Sequence, residues 1–511
     1  MLNWTTILRN IFSNWASYLV TAVVGFILAP FIVHSLGNTG YGLWTLVISL
    51  TGYFGMLDLG IRSSVGRFVA RHIALNEEDQ VNRIINTSFT LLAAGGMLAL
   101  IGSIVIATYF FGVFKVEPQF VFAGKAALMI LGLNIACTLP LGVFSAVLVG
   151  LERYDVIGAT TIVGELLRAV LVMVFLKLGF GLVALALVTL FIGAAEYTVM
   201  ALLVRSLYRP LRLGWRFVDL STLKGLSSFG IFRFIWIVSN QVIFYSDSVV
   251  IGIYLGASAI THFAIAGSLV NYGRNLVSLL TDAFFPAATR MDAKDDLSGL
   301  QQLLILGTRI SLLISLPLCL GFVFLGKQFI GLWMGKEYFS SAAILIVLTI
   351  PQFASMSLYV STLVLTSMAR HRVLAYLALA EGVTNLVLSV VLVRRIGLIG
   401  VAWGTVIPHL IITGLILPLY TMRTLRMNLA DFLRGAYLRP VLCAIPAAGL
   451  CYAFSVWFQN PTWLHFGAEV SAVCAVFLIA SYRFCLTPGQ HALLLHILQR
   501  LIHRQAVIHE A

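Results

Sequence analysis

The feature that most constrains this sequence is a series of fourteen apolar runs, separated by short breaks that carry charge, Gly or Pro. Each is about 20 residues, the length a helix needs to cross a bilayer core. They fall near residues 15–35, 41–60, 84–110, 125–149, 157–176 and 182–204, then 226–254, 260–286, 304–326, 342–368, 373–393 and 399–420, with a last pair near 441–458 and 466–483. Lipid offers the backbone no hydrogen-bond partner, so each run must satisfy its own N–H and C=O groups. The runs are too long and too weakly alternating for barrel strands, which leaves helices. Hydrophobic residues make up 60% of the chain and charged residues 10%, where a soluble chain carries about a quarter charged. Soluble enzymes, nucleic-acid binders and disordered chains are excluded together. The expected fold is an all-α integral membrane protein of about 14 transmembrane helices.

An even number of spans puts both ends on one side, and loop charge says which. Lys and Arg total 33 against 20 Asp and Glu. About 22 of the basic residues lie before the first span, in the loops at 62–83, 151–156, 205–224, 287–303, 369–372 and 421–439, and in the C-terminal tail; the alternate loops hold about 7. Both termini are therefore expected in the cytoplasm, and the N-terminal run reads as an uncleaved first helix. The tail at 487–511, with four histidines, reads as a short amphipathic helix resting on the membrane.

The basic segment at 205–224 falls between the sixth and seventh spans and invites a search for a repeat. A slide of about 219 residues sets Leu36, Gly37, Ser49, Leu50 and Tyr53 on Leu255, Gly256, Ser268, Leu269 and Tyr272. A slide of about 218 sets Gly179, Val183, Ala184 and Val188 on Gly397, Val401, Ala402 and Val406. The division expected is an N-lobe over 1–204, a cytoplasmic linker over 205–224, a C-lobe over 225–420, and two further spans with a tail over 421–511. Two six-span lobes share an orientation, so their pseudo-twofold axis would lie along the membrane normal.

Charge inside a span costs about 2.5–3.5 kcal/mol, so each such residue needs a partner or water. The eighth span sets Asn271, Arg274, Asn275, Ser278, Thr281 and Asp282 at offsets of three and four, one continuous polar face. The tenth repeats the pattern with Gln352, Ser355, Tyr359 and Thr362, and the seventh spaces Arg233, Asn240 and Asp247 seven apart. Such faces look at a hydrated cavity, or join helices through hydrogen bonds. A guanidinium in a cavity suits phosphate, because its planar fork donates two parallel bonds and keeps its charge. Arg274, Arg168 and Arg309, with Asn271 and Asn275, are the candidate anion contacts. Asp247, Glu165 and Glu381 are candidates for coupling to a proton or cation. Asp58 and Arg62, one turn apart, form either an inner gate or a capping pair. Glu165 and Arg168 lie three apart and also read as a simple ion pair.

The six cysteines form no CxxC pair and no His cluster accompanies them, so neither a disulfide framework nor a metal site is expected. No nucleotide-binding loop, HExxH or nucleophile elbow is present, and no cofactor is expected. The outer loops are short, which leaves no platform for a membrane glycan polymerase or ligase.

Residues 28–74, LAPFIVHSLGNTGYGLWTLVISLTGYFGMLDLGIRSSVGRFVARHIA, resemble the polysaccharide-export branch of the multidrug/oligosaccharidyl-lipid/polysaccharide (MOP) flippase superfamily. The resemblance rests on the LG-x-x-x-YG turn and the LDLG-x-x-x-x-x-x-R end of the second span, with a weaker echo in SDSVVIGIYLG at 246–256. It implies a Wzx-type flippase that moves an undecaprenyl-pyrophosphate-linked oligosaccharide across the bacterial inner membrane for O-antigen, capsule or exopolysaccharide synthesis. It also implies lobes that rock around a cationic cavity, with polymerase machinery as a partner beyond the lipid-linked substrate. Arg274 looks like the eighth-span Arg of the related lipid II flippases. The first span here has no Arg within the membrane, so lipid II is the less expected substrate. The rival readings are a cation-coupled multidrug exporter of the same superfamily and, from another class, a glycan polymerase or ligase.

Overall fold

A computed structural model of the chain describes residues 4–219, 221–222, 231–458 and 462–485. The tail at 487–511 and Lys224 lie outside the described residues, as does the side chain of Arg233. The helices are α1 (Trp4–Gly52), α2 (Ile61–Ala74), α3 (Glu78–Val105), α4 (Pro118–Gly150), α5 (Tyr154–Lys177), α6 (Gly181–Leu207), α7 (Ile231–Tyr254), α8 (Ala257–Thr281) and α9 (Phe285–Asp292). They continue as α10 (Leu297–Leu320), α11 (Gly326–Trp333), α12 (Ser340–Ser367), α13 (His371–Ile411), α14 (Leu417–Thr424), α15 (Leu429–Phe432), α16 (Arg439–Trp457) and α17 (Trp463–Phe484).

Among the described residues, eleven helical segments are long and apolar enough to cross a membrane. Two of these each hold two spans: α1 reverses at Gly37 (φ 69°), and α13 reverses at Ile396 and Gly397 (φ 64°). Helix α8 falls outside the eleven because its Asn, Arg and Ser stripe dilutes the apolar run. Counting the doubled segments and α8 recovers the fourteen spans read from the sequence. The lipid face is plain on α5, where Val163, Leu166, Leu167, Val170 and Val174 are exposed at helical spacing.

Left-handed backbone positions mark the corners, and several recur at the repeat spacing. Gly37 and Gly256 are 219 residues apart, Asn76 and Asp295 also 219, Glu152 and Ala369 217, and Gly179 and Gly397 218. The LDLG motif has a backbone reason of this kind. Leu59 (φ 50°) and Gly60 (φ 75°) are left-handed in succession and break the second span before α2 begins.

Contacts divide the chain into two compact units, Met1–Ile265 with His371–Thr405, and Ala266–Arg370 with Val406–Ala511. In the first unit, α2, α3, α4 and α6 enclose a core of Val65, Val69, Ile85, Leu92, Val143, Val147 and Val204. Helices α3 and α4 cross closely at Gly96, where a Cβ would stand 2.9 Å from the Ala136 backbone. Small residues at such crossings supply the packing that binds helices in lipid. The early helices meet α7 and the start of α8 at the end opposite the basic loops. Thr261 donates to the Asn38 carbonyl at 2.6 Å, and the Lys115 N–H donates to the Gly252 carbonyl at 3.0 Å.

The stretch after α6 is pinned to α3 by side chains. Asn82 Nδ2 donates to the Pro210 carbonyl (3.0 Å), and the Arg212 N–H donates to Asn82 Oδ1 (2.7 Å). Asn86 Nδ2 donates to the Arg212 carbonyl (2.8 Å), and the Gly214 N–H donates to Asn86 Oδ1 (2.9 Å). The Asp219 N–H then donates to Thr87 Oγ1 (3.0 Å). Two side-chain amides thus supply the pairing that a neighbouring strand would give an extended segment.

In the second unit, Leu300, Leu304, Val360, Val364 and Phe432 form one core, and Leu312, Leu325, Cys443, Ala447, Cys451 and Phe477 another. Pro317 and Pro408 lie inside α10 and α13, and each is followed four residues later by a widened π turn, Gly321–Leu325 and Ile412–Ile416. A proline removes one rung of the helical ladder, and the widened turn re-satisfies the freed carbonyls.

Candidate functional site

In the first unit the central group is Asp247 on α7. Its carboxylate accepts from Thr405 Oγ1 at 2.8 Å and from Ser389 Oγ at 3.3 Å, and the residue is 6% exposed. The reversal at Gly397 creates this arrangement, because it folds α13 back so that Thr405 comes level with Ser389. One residue before Asp247, Ser246 donates to Asn385 Oδ1 at 3.1 Å. Glu381, Asn385 and Ser389 are all buried and lie at four-residue intervals, so they share one face of α13. No basic side chain among the described residues pairs with Asp247. A buried carboxylate ringed by hydroxyls has the chemistry of a proton or monovalent cation site.

Glu165 and Arg168 form the expected pair on α5, at 2.8 Å. A third charged group joins them from α6: Glu196, whose Oε1 accepts from Thr161 at 2.9 Å. Asp58 and Arg62 also pair at 2.8 Å. Arg62 also feels Tyr197 on α6 electrostatically, and a Cβ at Gly142 would stand 3.0 Å from its Nη1. The pair is thus seated against α4 and α6 of its own unit.

In the second unit, Arg274 lies half-buried on the polar face of α8 beside Asn271 and Asn275. It acts electrostatically on Tyr359 of α12, whose hydroxyl donates to Asp282 Oδ1 at 2.9 Å. Gly273 allows this approach, since a Cβ there would stand 3.0 Å from Met356 Cε. Ser355 and His409 share a hydrogen bond nearby on α12 and α13. Arg309 has different surroundings: its Nη2 donates to the Gly435 carbonyl at 2.5 Å and its Nη1 to the Cys485 carbonyl at 3.3 Å. It holds the segment before α16 and the end of α17.

The structure therefore brings Asn271, Arg274 and Asn275 together on α8, and sets Asp247 with Ser389 and Thr405, while Glu381 lies about two turns from Ser389 along the same face of α13. Glu165 with Arg168, Asp58 with Arg62, and Arg309 each stand in groups of their own. Glu196 stands out in sequence as a charge within the sixth span, but sequence reasoning missed its contact with Thr161, the part of Thr405, and the Asn82 and Asn86 ladder. The four-residue spacing of the two asparagines was the one available signal.

Residues 7–292, more than half of the chain, match the family of polysaccharide biosynthesis proteins. The chain belongs to that family. Among its relatives, a Shigella flexneri protein provisionally named an O-antigen transporter is 24% identical over 405 residues, covering 78% of this chain and 93% of the relative. The membrane protein EpsK of Bacillus subtilis, described as uncharacterized, is 24% identical over 482 residues, covering 92% and 94%. Among solved structures, the lipid II flippase MurJ in an inward closed conformation aligns with a TM-score of 0.73 at 15% identity, over 93% of this chain and 98% of that one. An inward-facing multidrug resistance MATE family transporter of the MOP superfamily aligns at 0.67 and 15%, over 80% and 98%. These likenesses establish the fold as that of the MOP superfamily. Of the candidate residues, Asp58, Arg62, Glu165, Arg168, Asp247 and Arg274 fall within the stretch matched to the family, whereas Arg309 and Glu381 lie beyond it.

Proposed function

We propose that this membrane protein is a flippase for a lipid-linked glycan. Its substrate is an oligosaccharide on a polyprenyl pyrophosphate, with undecaprenyl as the expected lipid, moved from the inner to the outer leaflet of a bacterial plasma membrane. The observation that carries the reading is Arg274 on the polar face of α8, in a chain of the polysaccharide biosynthesis protein family. A guanidinium at that depth is matched to a pyrophosphate, and Asn271 and Asn275, on either side along the same face, are suited to phosphate and sugar oxygens. Arg274 comes first among the candidate arginines, because it shares one helix face with two side-chain amides, Asn271 and Asn275. The name of the Shigella relative supports O-antigen or a similar surface glycan as the destination, with a polymerase acting on the product.

The basic loops face the cytoplasm in this reading, as do both termini. The lobes at 1–204 and 225–420, joined by the linker at 205–224, open in turn to the two sides. Asp247 couples this motion to a proton or monovalent cation, Glu381 lies on the same α13 face, and Asp58 with Arg62 steadies the inner end.

The test is leaflet-resolved transport of a fluorescent polyprenyl-pyrophosphate oligosaccharide in proteoliposomes. A hydrogen bond to a charged group contributes about 1.5–3 kcal/mol, so Arg274→Ala is expected to weaken headgroup binding by about 10- to 150-fold. Arg274→Lys keeps the charge without the fork and falls between. Absence of transport by the wild type, with efflux of an organic cation in its place, overturns the proposal in favour of drug export.

A further inference from the structure

Four polar side chains meet where α5 packs on α6, about 16 Å along each helix from the end that carries the basic loops. Arg168 Nη1 donates to Glu165 Oε1 at 2.8 Å, and Thr161, further down the same helix, donates to Glu196 Oε1 at 2.9 Å. Gly164 keeps the crossing narrow at this level, since a Cβ there would stand 3.2 Å from Glu196 Oε2. The charged groups that act on Glu196 are Arg168 and Glu165, both on α5. From α4, Asn134 and Thr138 lie against Gly193, and both are neutral. Helix α1 has no acidic residue; its basic groups, Arg9 and His34, lie near the two ends of its first span, and its phenols are Tyr18 within that span and Tyr41 beyond it.

The group holds two carboxylates and one guanidinium, so one carboxylate is in excess. An uncompensated charge at this depth is disfavoured, and the gap between α5 and α6 is tight. A proton is the counter-charge that such a gap admits. We propose that Glu165, Arg168, Glu196 and Thr161 form a proton-binding site in the first unit, with Arg168 serving either carboxylate and the proton residing on the other. Binding is a simple addition: a proton from water joins one carboxylate oxygen to give a neutral carboxyl, and it leaves by the reverse. In the arrangement seen, Arg168 serves Glu165, which puts the proton on Glu196. Release would draw Arg168 toward Glu196. Tyr197, the next residue on α6, acts electrostatically on Arg62, so the site stands one residue from a neighbour of the Asp58–Arg62 pair.

Proton binding itself does not depend on the transported substrate; its use in coupling rests on the flippase reading. The test keeps the two apart. Infrared difference spectra are recorded on the full chain in liposomes during a pH titration, for the wild type, Glu196→Gln, Glu165→Gln and Thr161→Val. Subtracting Glu196→Gln from the wild type is expected to leave one protonated-carboxyl band. In Thr161→Val, which removes only the hydroxyl bond, that band should change frequency. Glu165→Gln frees Arg168 to neutralise Glu196, so its titration midpoint should fall by at least one pH unit, a tenfold rise in the proton concentration required. An unchanged spectrum in Glu196→Gln overturns the proposal, and so does an unchanged midpoint in Glu165→Gln when Thr161→Val also leaves the band in place. Melting curves in detergent identify any variant that fails to fold. In transport, Glu196→Gln should flatten the pH dependence of the rate; a wild type that does not transport would count against the flippase reading and leave the infrared result standing.

Discussion

Removing the amide of Asn86 should release the stretch after α6 from α3. Asn86 makes two bonds to that stretch, donating to the Arg212 carbonyl at 2.8 Å and accepting from the Gly214 N–H at 2.9 Å. Asn86 is buried, whereas Arg212 and Arg216 are exposed. A hydrogen bond contributes about 0.5–1.5 kcal/mol net, so Asn86→Ala forfeits about 1–3 kcal/mol of local stability. At about 1.4 kcal/mol per decade, the open population rises by about 5- to 150-fold. Trypsin reads this directly, because cleavage after Arg212 and Arg216 requires an open segment, and its rate follows the open population when closing is fast. Asn86→Asp keeps the acceptor for Gly214 and loses the donor to Arg212, so it should fall between wild type and alanine. Asn82→Ala should act alike, since Asn82 makes the same kind of double contact at Pro210 and Arg212. Nicking at wild-type rates in both alanine variants would show that the amides do not hold this segment, and the reasoning would be refuted.

Two further outcomes follow from particular contacts. Arg309→Met should lower the stability of the α16 and α17 pair by about 1–3 kcal/mol, the lost bonds to Gly435 and Cys485 being partly offset by removal of a charge from the membrane; transport at matched folded protein should persist, and a selective loss of headgroup binding would contradict the anchoring role. Asp296 precedes α10 and accepts from the Gly299 N–H at 2.8 Å, and this bond, with a second from Ser298, holds its carboxyl below the usual carboxylate range. The stabilisation is therefore present above the ordinary carboxylate pKa and is lost as pH falls through the depressed value. Hydrogen exchange at the start of α10 should speed up over that acidic window in the wild type and stay flat in Asp296→Ala.

Hydropathy made the fourteen spans visible because lipid forces the backbone into helices, whatever the side chains do. The polar face of α8 was equally legible, since Asn271, Arg274 and Asn275 lie on one helix and their spacing alone sets their direction. What lay hidden depends on register between helices. Thr405 reaches Asp247 only because the chain reverses at Gly397, and Thr161 meets Glu196 across 35 positions of sequence. Arg274 and Arg309 are alike in composition terms, yet one shares a helix face with two amides and the other bonds main-chain carbonyls. Their difference is made by neighbours from other helices, which no local pattern records. The Asn82 and Asn86 ladder was hidden for another reason: an amide that pairs with an extended backbone leaves no periodicity in its partner.

The left-handed corners recur without a matching residue at each. At the repeat spacing, Gly37 and Gly256 keep the residue that the conformation favours, but Asn76 corresponds to Asp295 and Glu152 to Ala369. Glu and Ala gain nothing from a positive φ. The bend recurs even where the residue does not favour it, so the recurrence is carried by where the chain turns and not by the side chain at the turn.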